Sequence, residues 1–95
     1  MKEVITMNII QGDHRFYIGD ATHPEAEVTF QPFGKDTIAI DHTYTDPKLR
    51  GQGIAKALVL KVTEYAKENN LKIVPLCSYA RIVMERDEQL KSLIK

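Results

Sequence analysis

Lys48-Leu49-Arg50-Gly51-Gln52-Gly53-Ile54-Ala55-Lys56-Ala57-Leu58-Val59 is a glycine-punctuated turn that runs straight into the best amphipathic helix of the chain. Glycine adopts backbone angles that other residues resist and lets the main chain pack closely against a neighbour. The helix that follows begins with N–H donors that have no intrahelical partner. With the helix dipole they make an anion site suited to phosphate. Between Asp46 and Glu64 there is no acidic residue, while Lys48, Arg50, Lys56 and Lys61 all fall there. First helical turns prefer Asp or Glu, yet Lys56 occupies this one. A bound anion between that lysine and the helix end relieves the conflict. The stretch reads as a phosphate cradle.

The rest of the composition sets bounds. Ninety-five residues make one domain, over 1–95, with a modest core. Formal net charge is zero, so global electrostatics points to neither nucleic acid nor an anionic membrane. Anion binding must then come from local arrangement. The single cysteine, Cys77, rules out an intrachain disulfide, and the three histidines do not join it in a metal-ligand spacing. No apolar run approaches the ~18 residues of a membrane-spanning helix, and the N-terminus lacks a signal peptide's apolar region. The expectation is a cytoplasmic protein without metal, membrane or nucleic-acid partners.

Residues 6–10 alternate weakly and meet Gly12-Asp13, a hairpin signal. A second strand runs over 14–18, with Phe16 and Ile18 on one face and Tyr17 on the other. Residues 19–24 read as loop, because a proline at 24 does not suit a central strand. Residues 25–33 make a third strand with Ala26, Val28 and Phe30 on one face against Glu27, Thr29 and Gln31, and Pro32 ends its regular pairing. The fourth strand, 37–45, is the longest and richest in β-branched residues. Strict alternation puts Ile38, Ile40, His42 and Tyr44 on one face. After Asp46-Pro47 and the cradle, a helix starting near Gln52 carries a stripe of Ile54, Ala55, Leu58, Val62, Tyr65 and Ala66, with Lys56, Thr63, Lys67 and Glu68 off it. Asn69-Asn70 suits its C-terminus. Residues 71–74 form a short buried strand closed by Pro75. Ser78 is an N-cap candidate for a last helix bearing Ile82, Val83, Leu90, Leu93 and Ile94, which breaks near Arg86-Asp87.

Short turns make the first four strands antiparallel, whereas the long helix sends the fifth parallel to the fourth. The expected fold is α+β: a mixed, mostly antiparallel five-stranded sheet with two main helices in the order ββββαβα.

Two better-known phosphate loops do not fit. A dinucleotide fingerprint needs glycine or alanine where Lys56 stands, and a P-loop needs Gly-Lys-Ser/Thr where Gly53-Ile54-Ala55 stands. Arg50-Gly51-Gln52-Gly53-Ile54-Ala55 instead resembles the Gln/Arg-x-x-Gly-x-Gly/Ala signature of the GNAT superfamily of acyl-CoA-dependent N-acyltransferases. Pro75-Leu76-Cys77-Ser78-Tyr79 further resembles a small, compact subfamily of that group. The resemblance implies a minimal GNAT fold and an acetyl-CoA-dependent N-acetyltransferase, using acetyl-CoA as co-substrate and an amine of unknown identity as acceptor. It implies CoA contacts at Thr43, Tyr44, Thr45, Arg50, Gly51, Gln52, Gly53, Ile54, Ala55 and Lys56. Lys48, Arg81 and Arg86 are further candidates for its phosphates. GNAT enzymes usually carry one or two helices between the first two strands, and Gly12-Asp13 leaves no space for them. That departure suits a bulky acceptor or a partner chain, as monomer or weak homodimer. It also keeps open the alternative of a non-catalytic CoA-binding or sensing module.

Acyl transfer to an amine needs positioning, stabilisation of the developing oxyanion and a proton for the departing thiolate. The resemblance makes backbone N–H groups near residues 43–45 the oxyanion donors. Cys77 precedes a helix start, where a thiolate is stabilised. It is either an acyl acceptor or acid–base partner, or simply a small buried hydrophobe. His42 is either a base that polarises Cys77 or a structural strand histidine. Tyr79 is either a proton donor to the CoA sulfur or a packing residue with its hydroxyl at the surface. His14 and His23 lie in turn-rich segments and are assigned no role.

Overall fold

The structure is a computed structural model describing residues 8–95. Its elements are β1 (Ile10–Gly12), β2 (Arg15–Gly19), β3 (Pro24–Pro32), β4 (Thr37–Thr45), a 3-10 turn (Pro47–Leu49), α1 (Ile54–Glu68), β5 (Lys72–Pro75), α2 (Ser78–Glu85) and α3 (Glu88–Lys91). The strands lie in the order β1-β2-β3-β4-β5. The first three pairings are antiparallel and β4 with β5 is parallel, as the intervening helix requires.

Beyond β5 the chain closes the sheet edge with its own end. Ile94 bridges Ile73 in parallel; the Ile73 N–H donates to the Leu93 carbonyl at 2.8 Å, and Lys95 N–H to the Ile73 carbonyl at 2.9 Å. Leu93 and Ile94, expected on the last helix, are therefore on an edge bridge. The helix breaks where expected: Asp87 caps α3 by accepting from Gln89 N–H at 2.9 Å and Leu90 N–H at 3.3 Å. From β4 to β5 to Ile94 the chain steps across the sheet in one direction. Right-handed crossovers then put α1 and α2 on the same face. Their inward residues join those of the sheet in one core that includes Val28, Phe30, Ile40, Leu58, Ile73 and Met84.

Phe30 is the hub of this core. It is 2% exposed, and its ring lies 5.2 Å from Tyr65 and 6.1 Å from Phe16. The α1 stripe is wider than expected, because Val59 and Thr63 are buried as well. Thr63 tolerates burial by donating its hydroxyl to the Leu60 carbonyl at 2.7 Å.

Several boundaries shift for local reasons. Thr6 and Met7, expected in the first strand, lie outside the described residues. Gly12 belongs to β1 and pairs with Arg15, so the hairpin turn is Asp13-His14, with His14 in the left-handed region at φ 58°. Pro24 and Pro32 both fall inside β3, one at each end, where a missing N–H disturbs the ladder least. Cys77, not Ser78, is the N-cap of α2, and Ile82 points outward at 46% exposure.

The largest correction concerns β4. Thr29 pairs with His42 and Phe30 with Ile40, so Asp41 is bulged out. A bulge shifts side-chain parity by one. Thr43 now lies opposite buried Val28 and Thr45 opposite buried Ala26, while His42 and Tyr44 pair with Thr29 and Glu27 on the helix-free face. They do not share a face with Ile38 and Ile40.

Replacing Phe30 by Ala should destabilise the fold by about 3–5 kcal/mol. That is a large share of the ~5–15 kcal/mol typical of a domain. A urea titration should show the midpoint collapsing; a change under about 1 kcal/mol would mean that Phe30 is not the hub.

Candidate functional site

The parallel pairing of β4 with β5 ends at Ile40 opposite Pro75. There the Ile40 carbonyl accepts from two N–H groups, Leu76 and Cys77, each at 3.0 Å. Past that point β4 bulges at Asp41 while the chain after β5 turns into α2. The stretch 41–45 thus keeps its pairing with β3 but has none with β5. A cleft opens between two parting strands, with main-chain groups of β4 along one side.

Two side chains meet across the cleft. The Thr43 hydroxyl oxygen and the Cys77 sulfur are 3.5 Å apart, and either can donate. Partial burial pushes the Cys77 thiol up, but the N–H groups of Ala80 and Tyr79 in the first turn of α2, with the hydroxyl and N–H of Thr43, outweigh it. The thiol therefore sits below its ordinary value. No full capping hydrogen bond to Cys77 forms, so the effect is that of nearby dipoles on the thiolate. Tyr79, one residue into α2, is 37% exposed, and burial pushes its phenol up. A raised phenol stays protonated and able to donate. His42, expected beside Cys77, is turned to the other face by the bulge and does not join this pair.

The cradle follows β4. Asp46 caps the 3-10 turn, its carboxylate accepting from Lys48 N–H at 2.9 Å. Arg50 folds back and donates from Nε to the Thr45 carbonyl at 3.1 Å, which ties the loop to the end of β4. Gly51 and Gly53 have φ of 85° and 78°, in the left-handed region. A Cβ at either would meet nothing within 4 Å. The glycines are thus needed for conformation, not for close packing within the chain, and the space in front of them is open to a ligand.

Gly53 is the N-cap of α1 and offers no side chain to its donors; the first turn holds no acidic residue. The first backbone bond of the helix runs from Ala57 N–H to the Gly53 carbonyl at 3.0 Å. The N–H groups of Ile54, Ala55 and Lys56 come before it and have no helical acceptor. A groove of ≈ 240 Å³ lies here, lined by Thr45, Arg50, Gly51, Gly53, Ala55 and Tyr79 among others. Residues from three of the expected groups (β4, the glycine loop and α2) are brought together in it. Tyr44 is not, since it faces the helix-free side. Among the described residues no group of three or more His, Cys, Asp or Glu gathers in a way that could hold a metal ion. Among those residues no helix is long and apolar enough to cross a membrane.

Comparison with known proteins places this geometry. The family profile of the GCN5-related N-acetyl-transferases matches residues 15–93. A GCN5-like protein from Staphylococcus aureus, solved in solution by NMR, is 39% identical; the match covers 94% of this chain and 88% of that one, with a TM-score of 0.79. Protein NATD1 of Xenopus tropicalis is 33% identical over 57 residues, 60% of this chain and 52% of its own. The chain thus aligns with about half the length of that curated relative. A Clostridium acetobutylicum protein described as a predicted acetyltransferase, solved with acetyl-CoA, shares the fold at 24% identity and a TM-score of 0.55, over 76% of this chain and 54% of that one.

Two outcomes follow from the site's geometry. Because the Cys77 thiol is held down, more of it is thiolate at a given pH. Its alkylation by iodoacetamide should therefore reach half-maximal rate at a lower pH than a free cysteine does. Thr43→Val should move that midpoint up, and an unmoved midpoint would show the hydroxyl to be idle. Gly53→Ala forces a side chain into the left-handed region, at a cost of roughly 1–2 kcal/mol, measurable by thermal unfolding.

Proposed function

This chain belongs to the family of GCN5-related N-acetyltransferases, and on that premise we propose that it binds acetyl-CoA in the β4–β5 cleft and transfers the acetyl group to an amine. The observation that carries the reading is the parting of β4 from β5 beyond Ile40, beside a glycine loop and a helix start without a capping side chain. The acetyl-CoA held by the Clostridium protein of the same fold supports it.

In this reading the N–H groups of Ile54, Ala55 and Lys56 hold the pyrophosphate, and Gly51 and Gly53 keep the approach open. The main chain at 43–45 pairs with the pantetheine arm as a missing strand would. A main-chain N–H there faces the charge that develops on the thioester oxygen as the amine nitrogen bonds to the acetyl carbon. The carbon–sulfur bond then breaks, the nitrogen loses its proton and the leaving sulfur gains one. Tyr79, kept protonated by burial, and Cys77, held in the cleft by Thr43, are the two groups able to handle that proton. Arg50 acts by fixing the loop to β4, not by direct contact with the donor.

One observation favours a second reading. The two-residue turn between β1 and β2 leaves no helix on that side to shape an acceptor pocket, which suits a module that binds CoA without turnover. Release of CoA thiol from acetyl-CoA, followed with a panel of polyamines, lysine and peptides with free N-termini, separates the two. We expect amine-dependent release, falling on the order of a hundredfold in the Cys77→Ala, Tyr79→Phe double variant. Saturable binding with no release on any amine would leave only the binding module. Full turnover in the double variant would remove both residues from the chemistry.

A further inference from the structure

Asp41 is the extra residue of the fourth strand, without a partner in the pairing of β4 with β3 or with β5. A bulged residue stands out of the ladder, so the pairing that fixes its neighbours does not fix it. Its carboxylate is held from the next strand instead: the Thr29 hydroxyl donates to Asp41 Oδ1 at 2.6 Å. That length belongs to a charge-assisted hydrogen bond, roughly twice as strong as one between neutral groups. Thr29 is also the residue of β3 at which the register breaks, since it pairs with His42 while Phe30 pairs with Ile40. The bond therefore spans the bulge where the extra residue enters.

The surroundings leave Asp41 to Thr29. Arg15, the cation paired with Thr29 across β2 and β3, is committed elsewhere. It forms an ion pair with Glu27, donates to the Ala21 carbonyl at 2.8 Å and lies 4.1 Å from the centre of the Tyr17 ring. Asp41 takes part in no ion pair among the described residues. It is exposed, so it fills no place in the core. The consequence of the bond lies on the other face of the sheet. With the extra residue at 41, Thr43 and Thr45 stand opposite buried Val28 and Ala26, and His42 and Tyr44 opposite Thr29 and Glu27. Moving the extra residue further along β4 would exchange the two sets. The Thr43 hydroxyl would then leave the Cys77 sulfur, which is 3.5 Å from it.

We propose that Thr29 and Asp41 are positioning residues of the cleft: their bond pins the bulge at 41 and so sets which side chains and main-chain groups of residues 42–45 the cleft presents. They act through β4, from the helix-free face, and not on the sulfur itself, whose own neighbours are Thr43, Tyr79 and Ala80. Losing either partner frees the extra residue and loosens the hold of Thr43 on Cys77. The effect on turnover rests on the reading of the cleft as the site of acetyl transfer; the effect on the thiol does not.

Alkylation of Cys77 by iodoacetamide across a pH series tests this on the whole chain, with no donor or acceptor present. Thr29→Val removes the hydroxyl and keeps a β-branched side chain. Asp41→Ala removes the acceptor at an exposed position, so both variants should fold. Each should raise the pH of half-maximal alkylation, in the direction of Thr43→Val. The double variant should raise it no further than either alone, as partners in one contact require. Thr29→Ser and Asp41→Asn keep a donor and an acceptor and should stay near wild type. In the amine-dependent release of CoA thiol, Thr29→Val and Asp41→Ala should lower kcat/KM by about three- to tenfold, inside the roughly hundredfold that a small misplacement can cost. Unmoved alkylation in both Thr29→Val and Asp41→Ala would overturn the assignment. So would Thr29→Ser and Asp41→Asn shifting as far as those two. Shifted alkylation beside a wild type that releases no CoA on any amine would uphold the positioning pair and remove the transfer reading instead.

Discussion

The carbonyl of Ile40, shared between the N–H groups of Leu76 and Cys77, is the contact on which the site depends. It is the last main-chain to main-chain bond holding β4 to the chain that follows β5. Below it, four parallel pairs knit the two strands; above it, the bulge at Asp41 swings β4 one way and the start of α2 carries the chain the other. A cleft lined by main-chain groups results, and it needs no insertion or second domain. The same bulge turns Thr43 inward to Cys77 and sends His42 and Tyr44 outward. One extra residue in a strand thus decides which side chains the cleft contains.

Much of this was legible in the residues. The strands and the helix came from their periodicities, the parallel fifth strand from the length of the crossover, and the cradle from two glycines and an acid-free run ending in a helix. The break at Asp87 was legible too, because aspartate caps a helix start. The parity of β4 was not. Alternation carries no mark for a bulge unless glycine or proline stands there, and Asp41-His42 offers only a change from apolar to polar. Nor could the sequence reveal that Leu93 and Ile94 leave the helix, since an apolar residue at helical spacing serves an edge bridge equally well. The Thr43–Cys77 contact joins positions far apart in the chain and depended on the bulge.

The chemistry of the site is built from local dipoles in a chain of zero net charge. In the proposed reading, main-chain N–H groups do the work at three places: the start of α1, the start of α2 behind Cys77, and the open side of β4. Such groups are fixed by the fold and need no reorganisation when charge develops near them. On that reading, a chain of zero net charge presents its anion site through local arrangement alone. Arg50, the most conspicuous cation of the loop, is spent on holding the loop to Thr45.

The central claim is that the β4–β5 cleft and the glycine loop together hold acetyl-CoA. Its most direct test is a titration of acetyl-CoA into isotope-labelled protein, following backbone amides by NMR. The account predicts saturable shifts at residues 51–56 and 43–45, growing together with one dissociation constant. No saturable shifts at millimolar ligand, or shifts confined to the helix-free face of the sheet, would contradict it and leave the glycine turn as a strand-to-helix connection.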